Sequence, residues 1–476
     1  MSTPQFLTIK DAAAALRDGT TTSVQLTEGI LARANALNDT LGAYVVITDD
    51  AALAQAAAAD ADFAAGIDLG PLQGIPLAIK DIIAMKGAPT TANSHVLDPA
   101  WGEGTDAPVV ERLRAAGAVF VGKSTTSEFA LGMPDDEKRF PIPHNPWNVE
   151  HTAAGSSSGT GIAVSAGLAL GGLGTDTGGS VRGPAAVNGH TGLKVTFGRV
   201  PKSGVVPLSW TLDSIGPMAR SAWDCALMLE VMAGYDPTDP SAAQVAVPKY
   251  SEALTGDISD IKMALPMPYF FDHEMLDPEM RTAVLAAVDV MTGLGATKTE
   301  TELKYSEEAK DANYLILVAE AYAYHRDNLQ KRWSDYGRFT RPSLARGALF
   351  TAADLSQAQR FRTKYSMDVA ALFLEHDVIV TPSAAFPAER SNAMSVSKRL
   401  LQPSYTGHWN LTGLPAIAIP VGFTESGLPL SMQIIGKPFA EETVLRVADA
   451  YQRATDFHLQ VPQTDALETT DSVVMA

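Results

Sequence analysis

Cysteine is all but absent: Cys225 stands alone among 476 residues. That excludes an internal disulfide framework and a cysteine-rich metal site. Histidine is scarce as well. The nine present form no i, i+4 pair and meet no clustered carboxylates, so no metal and no cofactor is expected. Positive charge is in deficit, with 36 Lys and Arg against 54 Asp and Glu and a formal net charge of −18. Such a balance argues against a nucleic-acid footprint or an anionic membrane surface as partner. The longest uncharged run, 152–175, could span a bilayer by length, but its Gly, Ser and Thr content makes it a poor span. The opening MSTPQFLTIKDAAAALRDG has no basic segment followed by an apolar block. No secretory signal is expected, and a soluble cytoplasmic protein is the default.

What the chain does have is a stretch unusually rich in small residues, TAAGSSSGTGIAVSAGLALGGLGTDTGGSVR, from Thr152 to Arg182. It begins with Ser156, Ser157 and Ser158 and closes on Gly178-Gly179-Ser180. Small residues are needed where backbone approaches backbone or a ligand. A Gly-Gly-Ser turn after an apolar run suggests amide groups presented to negative charge; a packed helix followed by a glycine loop is the plain alternative.

Elsewhere strands and helices alternate, which predicts a mixed sheet covered by helices. Residues 8–36 read as helices with a capped start at Thr8, and 51–65 as an alanine-rich surface helix. Gly74-Ile-Pro-Leu-Ala-Ile-Lys80-Asp81 reads as an apolar strand ending in a lysine, ordinarily a solvated edge charge. Residues 109–117 and 118–122 form a helix–strand unit, and the Pro-rich segment 131–147 reads as a loop. A helix is expected at 157–168, and strand or turn at 168–174. The Asp- and Pro-rich segment 235–259 links two halves. Beyond it come strands at 261–265, 377–380, 416–420 and 432–436, and helices at 278–294, 309–333 and 441–453. Residues 1–461 are expected to form one domain, its motifs between about 70 and 220, with 462–476 a loose tail.

Two motifs mislead. Gly117-Ala-Val-Phe-Val-Gly122-Lys123-Ser124 fits the phosphate-loop pattern, but its variable residues read as strand rather than open loop. Gly155-Ser-Ser157-Ser-Gly159 fits the nucleophile elbow, yet 143–154 shows no strand-like alternation leading into the serine.

Taken together, Gly74 to Asp81, Gly155-Ser156-Ser157, Gly174-Thr-Asp-Thr-Gly-Gly-Ser180-Val-Arg182, Gly192-Leu-Lys, Ser214-Ile-Gly-Pro-Met-Ala-Arg220 and Asn410-Leu-Thr-Gly-Leu-Pro415 resemble the amidase signature family of C–N hydrolases. The resemblance runs from about Leu7 to about Phe457. It implies an α/β fold, a single large mixed β-sheet covered on both faces by α-helices. It also implies a triad of Lys80 as base, Ser156 as bridging serine beside a cis peptide bond, and Ser180 as nucleophile, 24 positions after Ser156. By the same resemblance Thr177, Gly178, Gly179 and Ser180 supply an oxyanion hole. Asp176 and Arg182 pair to hold the loop, and Ser157 supports Lys80 or Ser156. One departure stands out: Ser158 occupies a position where the family usually has glycine.

The chemistry suits these residue types. A serine hydroxyl must lose its proton to attack, and a lysine accepts it only when neutral, which burial favours. A hydroxyl that both donates and accepts can bridge the two. The leading expectation is a stand-alone enzyme, monomer or homodimer, that hydrolyses a small-molecule amide, anilide or carbamate through an acyl-enzyme. The alternatives are the glutaminase subunit of a tRNA-dependent amidotransferase, a serine esterase using Ser157, and a non-catalytic binding protein. Against the glutaminase, 403–409 contains no acid and Pro342-Ser-Leu-Ala-Arg346 matches poorly. Expected pocket walls are 131–142, 206–210 and parts of 314–350.

Overall fold

The computed structural model describes residues 4–393 and 395–464. Its first helices begin where side chains satisfy exposed N–H groups. Thr8 accepts from the Asp11 N–H, starting Ile9–Asp18, and Thr22 and Gln25 form a reciprocal cap on Ser23–Leu41. Each ends at a left-handed glycine, Gly19 and Gly42.

Among the described residues thirteen strands follow in chain order: β1 (Tyr44–Ile47), β2 (Pro76–Lys80), β3 (Val119–Ser124), β4 (His144–Asn145), β5 (Asn148–Thr152), β6 (Gly171–Asp176), β7 (Thr191–Lys194), β8 (Ser214–Ala219), β9 (Lys262–Pro266), β10 (Thr297–Thr301), β11 (Val378–Pro382), β12 (Ala416–Phe423) and β13 (Pro429–Gly436). Eleven of them form one mixed sheet in the order β1-β3-β2-β6-β8-β7-β12-β13-β11-β9-β10, while β4 and β5 pair separately. Every residue of β2, β3, β6 and β8 is buried. Successive side chains point to opposite faces, so both faces of the sheet centre are covered, as the fold class predicts.

Strand β2 runs parallel to both β3 and β6, with Ile79 opposite Leu173. The carboxyl ends of β2 and β6 therefore emerge side by side. Lys80 is the last residue of one, and Thr175 and Asp176 close the other. The helix Ser158–Ser165 packs across this end of the sheet. A site built here stands on fixed strands rather than on a free loop.

Several elements depart from the sequence reading. Lys80 is no solvated edge charge; it is fully buried between two neighbouring strands. Within the expected loop 131–147 lies β4, and residues 148–152 form β5 although 143–154 shows no strand-like alternation, because the two pair with each other. Strands β1, β7, β8 and β10 and the helix Ala352–Leu372 lie outside the elements the sequence reading expects. β8 contains Gly216 and Pro217, turn residues that sheet pairing holds extended, and β10 is mostly exposed and polar. The phosphate-loop pattern falls on β3, and its Lys123 lies buried 3.3 Å from Asp81. No helix among the described residues is long and apolar enough to cross a membrane. Of the tail expected at 462–476, residues 465–476 lie outside the described residues.

Candidate active site

Lys80 leaves the end of β2 into a pocket of hydroxyls. Its Nζ lies 2.7 Å from Ser156 Oγ, 2.9 Å from Ser157 Oγ and 2.8 Å from Thr175 Oγ1. Burial holds the amine down to about 7, against the opposing pull of Asp176 and Asp213. The peptide bond between Gly155 and Ser156 is cis. It precedes the helix at Ser158–Ser165, which sets Ser156 and Ser157 over the end of β2.

After β6 the chain turns through Thr177, Gly178, Gly179 and Ser180, and all four line a cavity of about 430 Å³ together with Ser156. Ser180 and Ser157 are joined through backbone, the Ser157 N–H donating to the Ser180 carbonyl at 3.2 Å. Among the described residues the Ser180 hydroxyl has no side-chain partner. Lys80 and Ser156 thus meet directly, while Ser180 lines the same cavity as Ser156 with its hydroxyl unengaged among the described residues.

The four N–H groups expected to face an oxyanion are not equivalent. That of Gly179 donates to Asp176 Oδ1 at 2.8 Å, so it points at the carboxylate rather than into the cavity. Those of Thr177, Gly178 and Ser180 have no acceptor among the described residues. Asp176 organises the turn: it also accepts from the N–H groups of Val181 and Arg182, and from the Arg182 guanidinium at 2.9 and 3.0 Å. These donors and Lys194 keep its carboxyl far below the usual range despite burial. Arg182 in turn donates to Asn410 Oδ1 at 2.7 Å and Gln433 Oε1 at 2.9 Å, which ties the turn to the carboxyl-terminal part of the sheet.

Ser157 is fully buried, its hydroxyl enclosed between Lys80 and the backbone of Thr175. The preceding β5 does not run straight into it, since Ala153, Ala154, Gly155 and Ser156 intervene. Ser158 fits where a glycine is usual, its hydroxyl 3.4 Å from the Thr125 carbonyl. The close approach falls one position later. A Cβ on Gly159 would sit 2.2 Å from the Ala43 carbonyl and 2.3 Å from the Thr125 nitrogen.

The sequence reading passed over several neighbours. Thr175 contacts Lys80, Thr406 donates to the Gly178 carbonyl at 2.7 Å, and Asp213 accepts from Thr177 Oγ1 at 2.6 Å. Thr175 and Asn410 lie inside the quoted motifs, so polar residue type was a usable signal; for Thr406 and Asp213 there was none. The cavity walls include 131–134, Leu208, Tyr314, Leu317, Ser343 and Arg346 from the expected stretches, and also 383–389 and 402–406, which were not expected. Among the described residues no group of three or more His, Cys, Asp or Glu side chains could hold a metal ion.

Known proteins are similar to this chain in sequence and in fold. A glutamyl-tRNA(Gln) amidotransferase subunit from Roseiflexus sp. (strain RS-1) is 42% identical over 487 residues, covering 96% of this chain and 98% of the relative. A chain solved in a study of a vestigial protein complex and the origins of an s-triazine catabolic enzyme superposes with a TM-score of 0.88 at 30% identity, covering 94% of this chain and 98% of its own. The native peptide amidase of Stenotrophomonas maltophilia gives 0.83 at 28% identity, with 94% and 96% covered. The amidase family model matches residues 25–445, and the chain belongs to the amidase signature family of hydrolases acting on C–N bonds.

Proposed function

We propose that the chain cleaves the amide C–N bond of an organic amide, anilide or carbamate through Ser180, with Ser156 as proton bridge and Lys80 as base. The observation that carries this is the 2.7 Å contact between a buried lysine, held near neutrality, and a serine on the cavity wall. As Ser180 Oγ bonds to the carbonyl carbon, its proton passes to Ser156 Oγ, and the Ser156 proton passes to the Lys80 lone pair. The carbonyl π pair moves onto oxygen, where the free N–H groups of Thr177, Gly178 and Ser180 receive it. Losing one such donor costs about 3 kcal/mol of barrier. The same bridge then returns a proton to the leaving nitrogen, and water clears the acyl-enzyme by the reverse path.

The cavity supports a substrate with an apolar body. Its volume of about 430 Å³ is that of a site for a drug-sized ligand, and Leu131, Met133, Leu317, Phe386 and Tyr405 contribute to its wall. The second reading, the glutaminase subunit of an amidotransferase, is favoured by the names of relatives such as that from Roseiflexus. Asp311 and Arg346 on the same wall are charges that a zwitterionic amide could use. Continuity of the eleven-stranded sheet supports treating residues 1–461 as one domain. Enclosure of Ser157 away from the cavity speaks against the esterase, and retention of all three triad residues against a mere binding protein.

Turnover of a panel of anilides, carbamates, aliphatic amides, esters and glutamine decides among these. Ser180→Ala should abolish all hydrolysis while Ser157→Ala keeps a measurable fraction; the reverse pattern overturns the assignment. Ammonia release confined to glutamine, together with copurification of a second subunit, would establish the second reading.

A further inference from the structure

A neutral amine has two N–H donors and one lone pair, and Lys80 can act as a base toward Ser156 only if the lone pair points there. Three hydroxyls surround it, so direction must be imposed. The Ser157 hydroxyl has one proton, which goes to the Thr175 carbonyl at 3.2 Å, while its oxygen takes the Thr175 N–H at 3.2 Å. Toward Lys80 it can therefore only accept. Thr175 Oγ1 has no partner other than Lys80 among the described residues. Thr175 also lines a small cavity with Asp213 and Ser214, so its hydroxyl proton is not committed to Lys80.

We infer that Thr175 is a positioning residue whose hydroxyl accepts the second N–H of neutral Lys80 and so leaves the lone pair aimed at Ser156 Oγ. When Lys80 takes the proton, its three N–H groups meet the same three oxygens. Only the proton between Lys80 and Ser156 moves. Without Thr175 the second N–H can turn to Ser156, a pairing in which the lysine no longer accepts. The charges that face the amine are Asp176 at the end of β6 and Asp213 ahead of β8; Asp81, next along the chain, is held by Lys123 of β3.

The inference rests on the catalytic reading above and is tested beside it. With an amide the wild type turns over, Thr175→Val should lower kcat roughly ten- to hundredfold and change KM by less than about twofold. Its rising pH limb should move to lower pH, because the ammonium has lost an acceptor. Thr175→Ser, which keeps the oxygen, should restore both kcat and the limb. A Thr175→Val enzyme with wild-type kcat and pH profile overturns the inference, as does a Thr175→Ser enzyme no better than the valine form. If the valine variant does not fold, Thr175→Ala is compared with Thr175→Ser by the same two readouts. Inactive Ser180→Ala and Lys80→Met beside an unaffected Thr175→Val would sink this inference alone, whereas an active Ser180→Ala would sink the catalytic reading itself.

Discussion

A lysine side chain taken out of water favours its neutral form, and Lys80 shows what that does to a single residue. Its pKa falls from 10.5 to about 7 because burial outweighs the attraction of Asp176 and Asp213. Turnover should therefore rise with pH through about 7 as the amine becomes neutral, a limb that kcat measured from pH 5 to 9 will show. Stability follows the same titration. Between pH 7 and 10.5 the unfolded lysine holds its proton and the folded one does not, so this group makes the fold more stable as pH rises. Lys80→Met should abolish activity, leave the melting temperature at pH 7 unchanged or higher, and flatten the pH dependence of urea unfolding. The residue type was legible in the strand ending at Lys80. Its pKa was not, because an apolar strand with a terminal lysine reads equally well as a sheet edge.

The turn after β6 works as an element, and its glycines have different reasons to be glycine. Gly179 has a φ of +125°, and a Cβ there would lie 2.2 Å from Thr406 Oγ1. Gly179→Ala should displace the turn and cut kcat by roughly a hundredfold or more while circular dichroism stays unchanged. Thr406→Ser should not rescue it, since the hydroxyl clash and the backbone conformation both persist. The sequence shows a Gly-Gly-Ser run that suits exposed amides, but not that Asp176 takes the Gly179 N–H for itself. That detail depends on where the carboxylate lands once Arg182, Asn410 and Val181 have also bound it. The Ser158 departure teaches the same point: the close approach is at Gly159, a fact of how the helix meets Ala43 and Thr125.

Across the whole molecule, the cavity is assembled from segments that are distant in the chain and have no shared pattern. Leu317, in the helix Ser306–Lys331, lines it beside Gly178. Leu317→Trp should lower kcat/KM for a bulky anilide by about tenfold and for a small aliphatic amide by less than about threefold. Equal losses for both substrates would place Leu317 away from the substrate body. Such walls escape sequence reading because leucine and phenylalanine in a helix or loop look the same whether they face a core or a ligand. The motifs of the proposed site were readable because their chemistry resides in residue identity and order: a lysine closing an apolar strand, paired serines, then Gly-Gly-Ser at a set interval. The sequence by itself determined those groups and the family they belong to. Tertiary structure alone decided that Lys80 meets hydroxyls 76, 77 and 95 positions away, and that it is fully buried where it does so. Desolvation and hydrogen-bond direction depend on everything packed around a group, and no local stretch of chain contains that information.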